Sequence, residues 1–231
     1  MATGDTCVVL GMWNEDNDLG KRDNTVAIWG LEGPALTSAI EGAVAGGCTR
    51  ILSVGTAGAL NPALKGGEVC VGVGFGVVSI GSAGSAPVPP VSCDSAWSES
   101  IRRMTGATPV FITWSDTTVA TASQKTALRN RTGADAVDLE SITAACVAAK
   151  HHIPFGWLRV ISDTADQDIP PAALAALTAT GTLDIGAVIA SLAADDAQLP
   201  ALLALADSSS LALNALPGAL LNLGVNYGAP S

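Results

Sequence analysis

The chain has 231 residues and a net charge of −10, and only 14% of its residues are charged, against about 25% in an average soluble protein. Its 48% apolar content and mean hydropathy of +0.41 exclude a disordered chain. Because lysine and arginine are few and unclustered, nucleic acid and anionic membrane surfaces are poor partners. The length suits one large domain, and we expect a single domain over residues 1–231.

The cysteines and the N-terminus indicate a cytoplasmic protein. The cysteine count is odd, at five, and no pair has C-x-x-C spacing, which is typical of a reducing compartment. The N-terminal sequence MATGDTCVVL lacks the basic and long apolar regions of a secretion signal. Two uncharged stretches, Val69–Cys93 and Ser208–Ser231, are interrupted by proline, glycine or asparagine, so we expect no transmembrane helix.

Predicted strands and helices alternate along the first 160 or so residues. Strands are expected at Cys7–Gly11, Thr25–Trp29, Ile51–Val54, Glu68–Val73, Phe75–Ile80, Val110–Trp114, Thr117–Thr121, Asp135–Leu139 and Gly156–Ser162. Helices are expected at Ala35–Ala45, Asp94–Met104, Ser123–Arg131 and Ser141–His151, with a Gly/Ser/Pro loop at Ser82–Cys93. This alternation predicts an α/β fold with a largely parallel sheet.

After Pro170 the pattern is helical only. Three helices, at Pro171–Thr180, Asp184–Ala194 and Pro200–Ala215, form a predicted tail over residues 171–216 that packs on the sheet.

The histidine content limits the chemistry. Only His151 and His152 are present, adjacent to each other at a predicted helix end, where they are interpreted as a helix cap. A Ser/His/Asp triad or a histidine zinc site cannot readily be built from them, so we expect no metal and no cofactor.

Three segments are candidate sites. Gly55, Thr56, Ala57 and Gly58 follow a buried strand, where their backbone amides form either a nest for a ligand or simply a tight turn. Asp138 and Glu140 flank Leu139 at the end of another strand, so strand alternation places both carboxylates on one face; the alternative for Glu140 is a charge at a helix start.

The third segment is Ser162-Asp163, at the end of the last predicted strand. In α/β sheets, ligands bind at the carboxyl edge, where a partly desolvated carboxyl group can act as a general acid. An aspartate that caps a turn is the equal alternative for Asp163.

The motifs GTAGAL, GGEV, VDLES and IPFGWLRVISDTAD, in this order, resemble the purine nucleoside phosphorylase and nucleosidase superfamily over about residues 5–166. KTALRNRTGADAVDLES and the tail segments GTLDIGAVIASL and QLPALLALADSSSLALNAL resemble its hopanoid-associated branch. The resemblance implies a twisted mixed sheet flanked by helices with a helical tail, in a homo-oligomer. It implies that the chain releases adenine from adenosylhopane, a nucleoside with an apolar 5′ group, in bacterial hopanoid synthesis, in the cytoplasm or peripheral to the membrane.

The resemblance also implies residue roles. Asp163 would protonate the leaving base, and Glu140, with Asp138, Leu139 and Ser162 beside it, would hold the ribose. The backbone of 55–58 would line the ribose and base pocket. Phe155 lies either near the pocket or in the core.

The acceptor of the ribosyl group is left open by the resemblance. Glu15 is either the base that activates water or a solvated surface charge, and Asn14 is the other residue at the comparable position. Only Lys21, Arg22 and Arg50 are available to bind phosphate, and none lies in a phosphate-binding motif, so we favour water over phosphate as co-substrate.

Two alternatives remain: a methylthioadenosine/S-adenosylhomocysteine-type nucleosidase with a small 5′ group, and a non-catalytic binding or storage member of the same fold. For the apolar substituent we expect a groove lined by Ser82–Val91, Pro171–Thr180 and Pro200–Leu216. The alternative is that these residues belong to the core or a subunit interface.

Overall fold

A computed structural model describes residues 5–11, 23–76, 91–176 and 184–230. Its strands are β1 (Asp5–Leu10), β2 (Thr25–Trp29), β3 (Cys48–Ala59), β4 (Val69–Phe75), β5 (Thr108–Trp114), β6 (Ala136–Asp138) and β7 (Phe155–Asp163). Its helices are α1 (Gly33–Ala45), α2 (Ser95–Thr105), α3 (Ala122–Thr132), α4 (Ser141–His151), α5 (Pro171–Ala176), α6 (Ile185–Ala194) and α7 (Leu199–Asn222).

In these residues the strands form one mixed sheet in the order β2-β1-β3-β6-β5-β4-β7, and β7 also pairs with β3. Strands β3, β6, β5, β4 and β7 therefore close into a ring. The pairs β3–β6 and β4–β7 are antiparallel and the others are parallel. The predicted α/β fold with a mixed sheet, flanking helices and a C-terminal helix is confirmed.

Helices cover both faces of the sheet. Alternation along β7 directs Trp157 and Ile161 toward the layer that contains α1 and α4, whereas Leu158 and Val160 face α2 and α7. Because β7 is covered on both sides, it is buried at every position except Ser162, as expected for a strand inside an α/β protein.

Two local predictions were wrong. Residues 55–58 do not form a turn, because β3 continues through them and their backbone pairs with β7. Residues Thr117–Thr121 are not a strand, because their backbone groups form hydrogen bonds with side chains and with the backbone of a loop, not with a neighbouring strand. Ser115 Oγ donates to the Thr117 carbonyl, Gln124 Oε1 accepts from Thr121 N, and Ile169 N donates to the Ala120 carbonyl.

The tail is helical as predicted, but α7 runs seven residues beyond Ala215, through Pro217 to Asn222. Its C-terminal half is held against β7 by a buried face that includes Ala212, Leu216 and Leu220. By length and composition alone, the 27 residues 196–222 are apolar enough to cross a membrane, with a mean hydropathy of 1.4 over the most apolar window. The packing of Leu216 and Leu220 on the sheet explains the apolar character of that half. Residues 177–183 of the tail, 77–80 of the predicted strand Phe75–Ile80 and 82–90 of the predicted loop lie outside the described residues.

Candidate active site

The candidate site lies where three parallel strands end. β1, β3 and β7 run in the same direction, so Gly11, Gly58 and Asp163 lie at one edge of the sheet. β6 ends beside them at Asp138, and the chain then reaches Glu140 before α4 begins. This edge is where ligands bind in α/β sheets.

Asp163 is buried, with 6% of its surface exposed, and both of its oxygens have donors. Lys125 Nζ lies 2.6 Å from Asp163 Oδ2, and Ser162 Oγ donates to Oδ1 at 2.7 Å. The Ser162 hydroxyl also lies 3.3 Å from the Ala57 carbonyl oxygen, which links the end of β7 to β3. A carboxylate oxygen has two lone pairs, so each oxygen of Asp163 can still meet a ligand.

Glycines allow both predicted carboxylates to approach the strand ends. A Cβ on Gly58 would lie 3.0 Å from Asp163 Oδ2, and a Cβ on Gly11 would lie 3.0 Å from Glu140 Oε1. Both contacts are tighter than ordinary van der Waals separation, so a side chain at either position would push the carboxylate away. The small residues of this edge therefore make room for acidic side chains of the protein itself.

A buried guanidinium lies between the other two carboxylates. Arg159 is 1% exposed, and its Nη2 lies 2.9 Å from Asp138 Oδ2 and 3.9 Å from Glu140 Oε2. The same nitrogen donates to Ser53 Oγ at 2.8 Å. Asp138 and Glu140 both approach this nitrogen, but β6 ends at Asp138 and Glu140 is the N-cap of α4, so the predicted strand alternation does not extend to Glu140.

Asp138 is held on all sides by protein donors. Its Oδ1 accepts from the backbone N and the hydroxyl of Ser141 at 3.1 and 2.5 Å, at the first residue of α4. Its Oδ2 accepts from Trp157 Nε1 at 2.7 Å as well as from Arg159. Asp138 thus fixes the start of α4 and the position of Arg159, and through them the position of Glu140.

The local charge is negative overall. Within the described residues the site contains three carboxylates, of Asp138, Glu140 and Asp163, and two cations, of Lys125 and Arg159. Both cations are paired with carboxylates, although Arg159 Nε is buried without a hydrogen-bond partner. A net negative site favours a substrate that becomes positively charged during reaction.

Of the remaining predicted site residues, Leu139 is described by the structure and four others are not. Leu139 is 39% exposed between the two acidic residues. Glu15, Asn14, Lys21 and Arg22 lie outside the described residues, so the predicted role of Glu15 stays a prediction.

The structure corrects the predicted place of Phe155 among the substrate-binding residues. It begins β7, eight residues before Asp163, or about 26 Å at the usual rise of a strand. Its ring is buried and stacks on Phe75 with a centroid distance of 6.1 Å, so it belongs to the core. A cavity of about 500 Å³ opens at that end of the sheet, between Phe155 and the C-terminal end of α4. It is remote from the carboxylates described above.

Sequence reasoning missed two residues that the structure brings to the site, Lys125 and Arg159. Arg159 was visible only as part of the segment that ends in Asp163. The sequence pattern does indicate that Lys125 is buried, because it lies three residues before Leu128 and seven before Thr132, on the buried face of α3. A lysine on a buried helix face needs a partner, and Asp163 is that partner.

The histidines take no part in this site. His152 is the left-handed C-cap of α4, as predicted, and His151 Nε2 lies 2.6 Å from Glu41 Oε2. In the described ranges no three His, Cys, Asp or Glu side chains are grouped to hold a metal ion.

Comparison with protein families matches residues 17–192 to the phosphorylase superfamily. No curated protein sequence matches the chain. Among solved structures, an S-adenosylhomocysteine nucleosidase from Streptococcus pyogenes, in complex with 5-methylthiotubericidin, superposes with a TM-score of 0.67 at 17% identity, covering 100% of this chain and 99% of that one.

Two further structures are similar. Native futalosine hydrolase of Helicobacter pylori has a TM-score of 0.63 at 18% identity, with 95% of this chain and 98% of that chain covered. The 5′-methylthioadenosine/S-adenosylhomocysteine nucleosidase of Campylobacter jejuni has a TM-score of 0.63 at 17% identity, with 92% and 99% covered. At these identities the likeness describes the fold.

Proposed function

Because the chain belongs to the phosphorylase superfamily, we propose that it cleaves the N-glycosidic bond of a purine nucleoside. The observation that carries the proposal is that Asp163 and Glu140 reach the same carboxyl edge of the sheet, each against a glycine that leaves room for it. Solved nucleosidases that share the fold bind nucleoside analogues, which agrees with a nucleoside as the ligand.

The proposed mechanism assigns one task to each carboxyl group. Asp163 gives a proton to the ring nitrogen of the departing base, so that the base leaves neutral. Glu140 accepts hydrogen bonds from the ribose hydroxyls, and its charge stabilises the oxocarbenium-like ribosyl group. Asp138 holds Arg159 and the start of α4, so we assign it to positioning Glu140 and not to direct contact with substrate.

We propose water as the acceptor. Lys125 and Arg159 are both committed to carboxylates, and the net negative charge of the described site opposes phosphate. Glu15 is the proposed base that activates the water.

For the 5′ substituent we propose an apolar group, with adenosylhopane as the substrate that the resemblance implies. Residues 184–230 contain no lysine or arginine. In this region Ile185, Ile189 and Leu203 are 58–62% exposed, which leaves apolar surface that an apolar substituent could contact. The second candidate is a methylthioadenosine-type nucleosidase, favoured by the fold of the solved nucleosidases.

The test is adenine release, measured chromatographically, from 5′-methylthioadenosine and from adenosine with a long 5′-alkyl chain, with and without phosphate. We expect release without phosphate, a higher kcat/KM for the long chain, and a loss of about 10²–10⁴-fold in Asp163→Asn. A folded Asp163→Asn variant with wild-type turnover contradicts the mechanism. A higher kcat/KM for the short substrate would favour the second candidate over adenosylhopane. An absolute requirement for phosphate would contradict water as the acceptor.

A further inference from the structure

Lys125 is a buried lysine whose three N–H groups are all used. None of its surface is exposed, and its Nζ lies 2.6 Å from Asp163 Oδ2, 2.7 Å from the Thr164 carbonyl oxygen and 2.8 Å from the Gln167 carbonyl oxygen. Three oxygen acceptors match the three hydrogens of an ammonium group. A buried charge is tolerated only when it is paired and hydrogen-bonded in this way.

The fold fixes Lys125 in this position from several sides. α3 begins with a capping box in which the Thr121 side chain accepts from Gln124 N. The turn after β7 is attached to the same helix end, because Asp168 Oδ1 accepts from Ala122 N at 2.7 Å. Lys125 therefore connects α3, the turn at 164–167 and the carboxylate of Asp163 in one rigid arrangement.

The other carboxylates of the turn are Asp166 and Asp168, and the pKa of Asp166 is lowered mainly by its hydrogen bond from Thr164 and in smaller part by the charge of Lys125. On the turn, Asp166 is exposed and bonds to the Thr164 hydroxyl, and Asp168 is used at the start of α3. From β3, Gly58 packs against the carboxylate, and a Cβ at that position would lie 3.0 Å from Asp163 Oδ2. Lys125 is thus the cation in direct contact with Asp163 among the described residues.

We propose that Lys125 and Asp163 act as one unit that activates the leaving group, with Lys125 as a positioning residue. The inference rests on the proposed function. As the bond between the ribosyl carbon and the base nitrogen breaks, its electron pair goes to the base, and Asp163 gives its proton to the base. The carboxylate that remains is stabilised by the ammonium group 2.6 Å away, while water adds to the ribosyl carbon and gives its proton to Glu15, and Asp163 takes a proton from solvent before the next cycle. Lys125 keeps its three hydrogens throughout.

The experiment compares two leaving groups on the same ribose. One substrate is whichever adenosine derivative the wild-type enzyme cleaves better, and the other is the p-nitrophenyl riboside with the same 5′ substituent. Nitrophenolate is a stable anion that leaves without a proton, whereas adenine needs one. In Lys125→Met we expect kcat for adenine release to fall about ten- to a hundredfold, within the range of general acid catalysis, and kcat for nitrophenolate release to change less than about threefold.

A double-mutant cycle separates this role from a purely structural one. If Lys125 acts through Asp163, then Lys125→Met/Asp163→Asn releases adenine no more slowly than Asp163→Asn alone. The double variant also removes the unpaired buried charge that Lys125→Met leaves, so it keeps the test available if the single variant is poorly folded. Lys150→Met is the matched control, because it breaks the exposed ion pair with Glu41 and should leave both substrates unaffected.

The outcomes distinguish the inference from the proposed function. Equal losses on both substrates, or additive losses in the double variant, would overturn the role of Lys125 while leaving nucleoside cleavage intact. If the wild-type enzyme releases adenine from neither adenosine derivative, the proposed function itself fails.

Discussion

At the scale of single residues, the carboxylates of Asp163 and Glu140 differ in how closely a cationic side chain approaches them. Asp163 has its own ammonium at 2.6 Å, whereas Glu140 is 3.9 Å from a guanidinium that Asp138 holds more closely, at 2.9 Å. Glu140 is also less buried, with 18% of its side chain exposed against 8% for Asp163. These differences suit Asp163 to proton transfer and Glu140 to binding polar groups of a ligand.

The variant Glu140→Gln is predicted to discriminate between ribose and deoxyribose. Loss of the charge weakens the hydrogen bonds to the 2′ and 3′ hydroxyls, and a hydrogen bond to a charged group contributes about 1.5–3 kcal/mol. We therefore expect kcat/KM to fall at least about tenfold for a ribonucleoside and much less for its 2′- or 3′-deoxy analogues. Equal losses for all three substrates would leave Glu140 with a structural role at the start of α4.

Site residues could be predicted from the sequence where they lie at the end of a predicted strand. Asp163 and Glu140 end apolar runs, and the end of a buried strand is a definite place in an α/β fold. The partners of these residues could not be predicted, because Lys125 is 38 positions from Asp163 and Ser53 is 106 from Arg159. Such contacts depend on the closing of the strand ring, which no local pattern specifies.

At the scale of elements, the backbone of residues 55–58 has a different role from the one its composition indicated. The composition predicted either a tight turn or a nest of backbone amides, but the segment pairs with β7 as part of β3, with Gly55 at a φ of 148° that L side chains rarely adopt. Tertiary pairing overrode local preference at this point, as it commonly does in strands. The outcome still places small residues at the site, with Gly58 against Asp163.

The tail helix α7 provides a matched pair of leucines. Leu216 is 1% exposed in the core beside β7, whereas Leu203 is 58% exposed in the other half of the helix. Leu216→Ala is predicted to lower the free energy of unfolding by about 2–5 kcal/mol without changing the preference among 5′ substituents. Urea unfolding and kcat/KM for the short and long substrates measure the two effects.

The same comparison tests the predicted apolar groove. Leu203→Ala is expected to change stability by less than about 0.5 kcal/mol, as surface substitutions usually do. If this half of α7 contacts a long 5′ substituent, Leu203→Ala lowers kcat/KM for the long substrate only. No change for either substrate would exclude Leu203 from the groove.

At the scale of the whole molecule, the buried cysteines are thiols that the fold protects from ionisation. Burial raises the pKa of Cys7, Cys70 and Cys93 from 9.0 to about 12. For Cys93 the negative charges of Asp138 and Asp94 raise the pKa further. No disulfide joins the five cysteines, all of which are described and free.

These raised pKa values predict that the folded protein loses stability in alkaline solution. Above pH 9 the unfolded chain releases thiol protons that the folded chain retains until about pH 12, so the free energy of unfolding falls as pH rises through that window. Each fully protected thiol contributes a slope of up to about 1.4 kcal/mol per pH unit. Urea unfolding at pH 8 to 10.5 should therefore show a smaller slope for Cys70→Ala than for the wild-type chain, because other alkaline groups titrate equally in both. Identical slopes would mean that the Cys70 thiol ionises as readily in the folded protein as in the unfolded one.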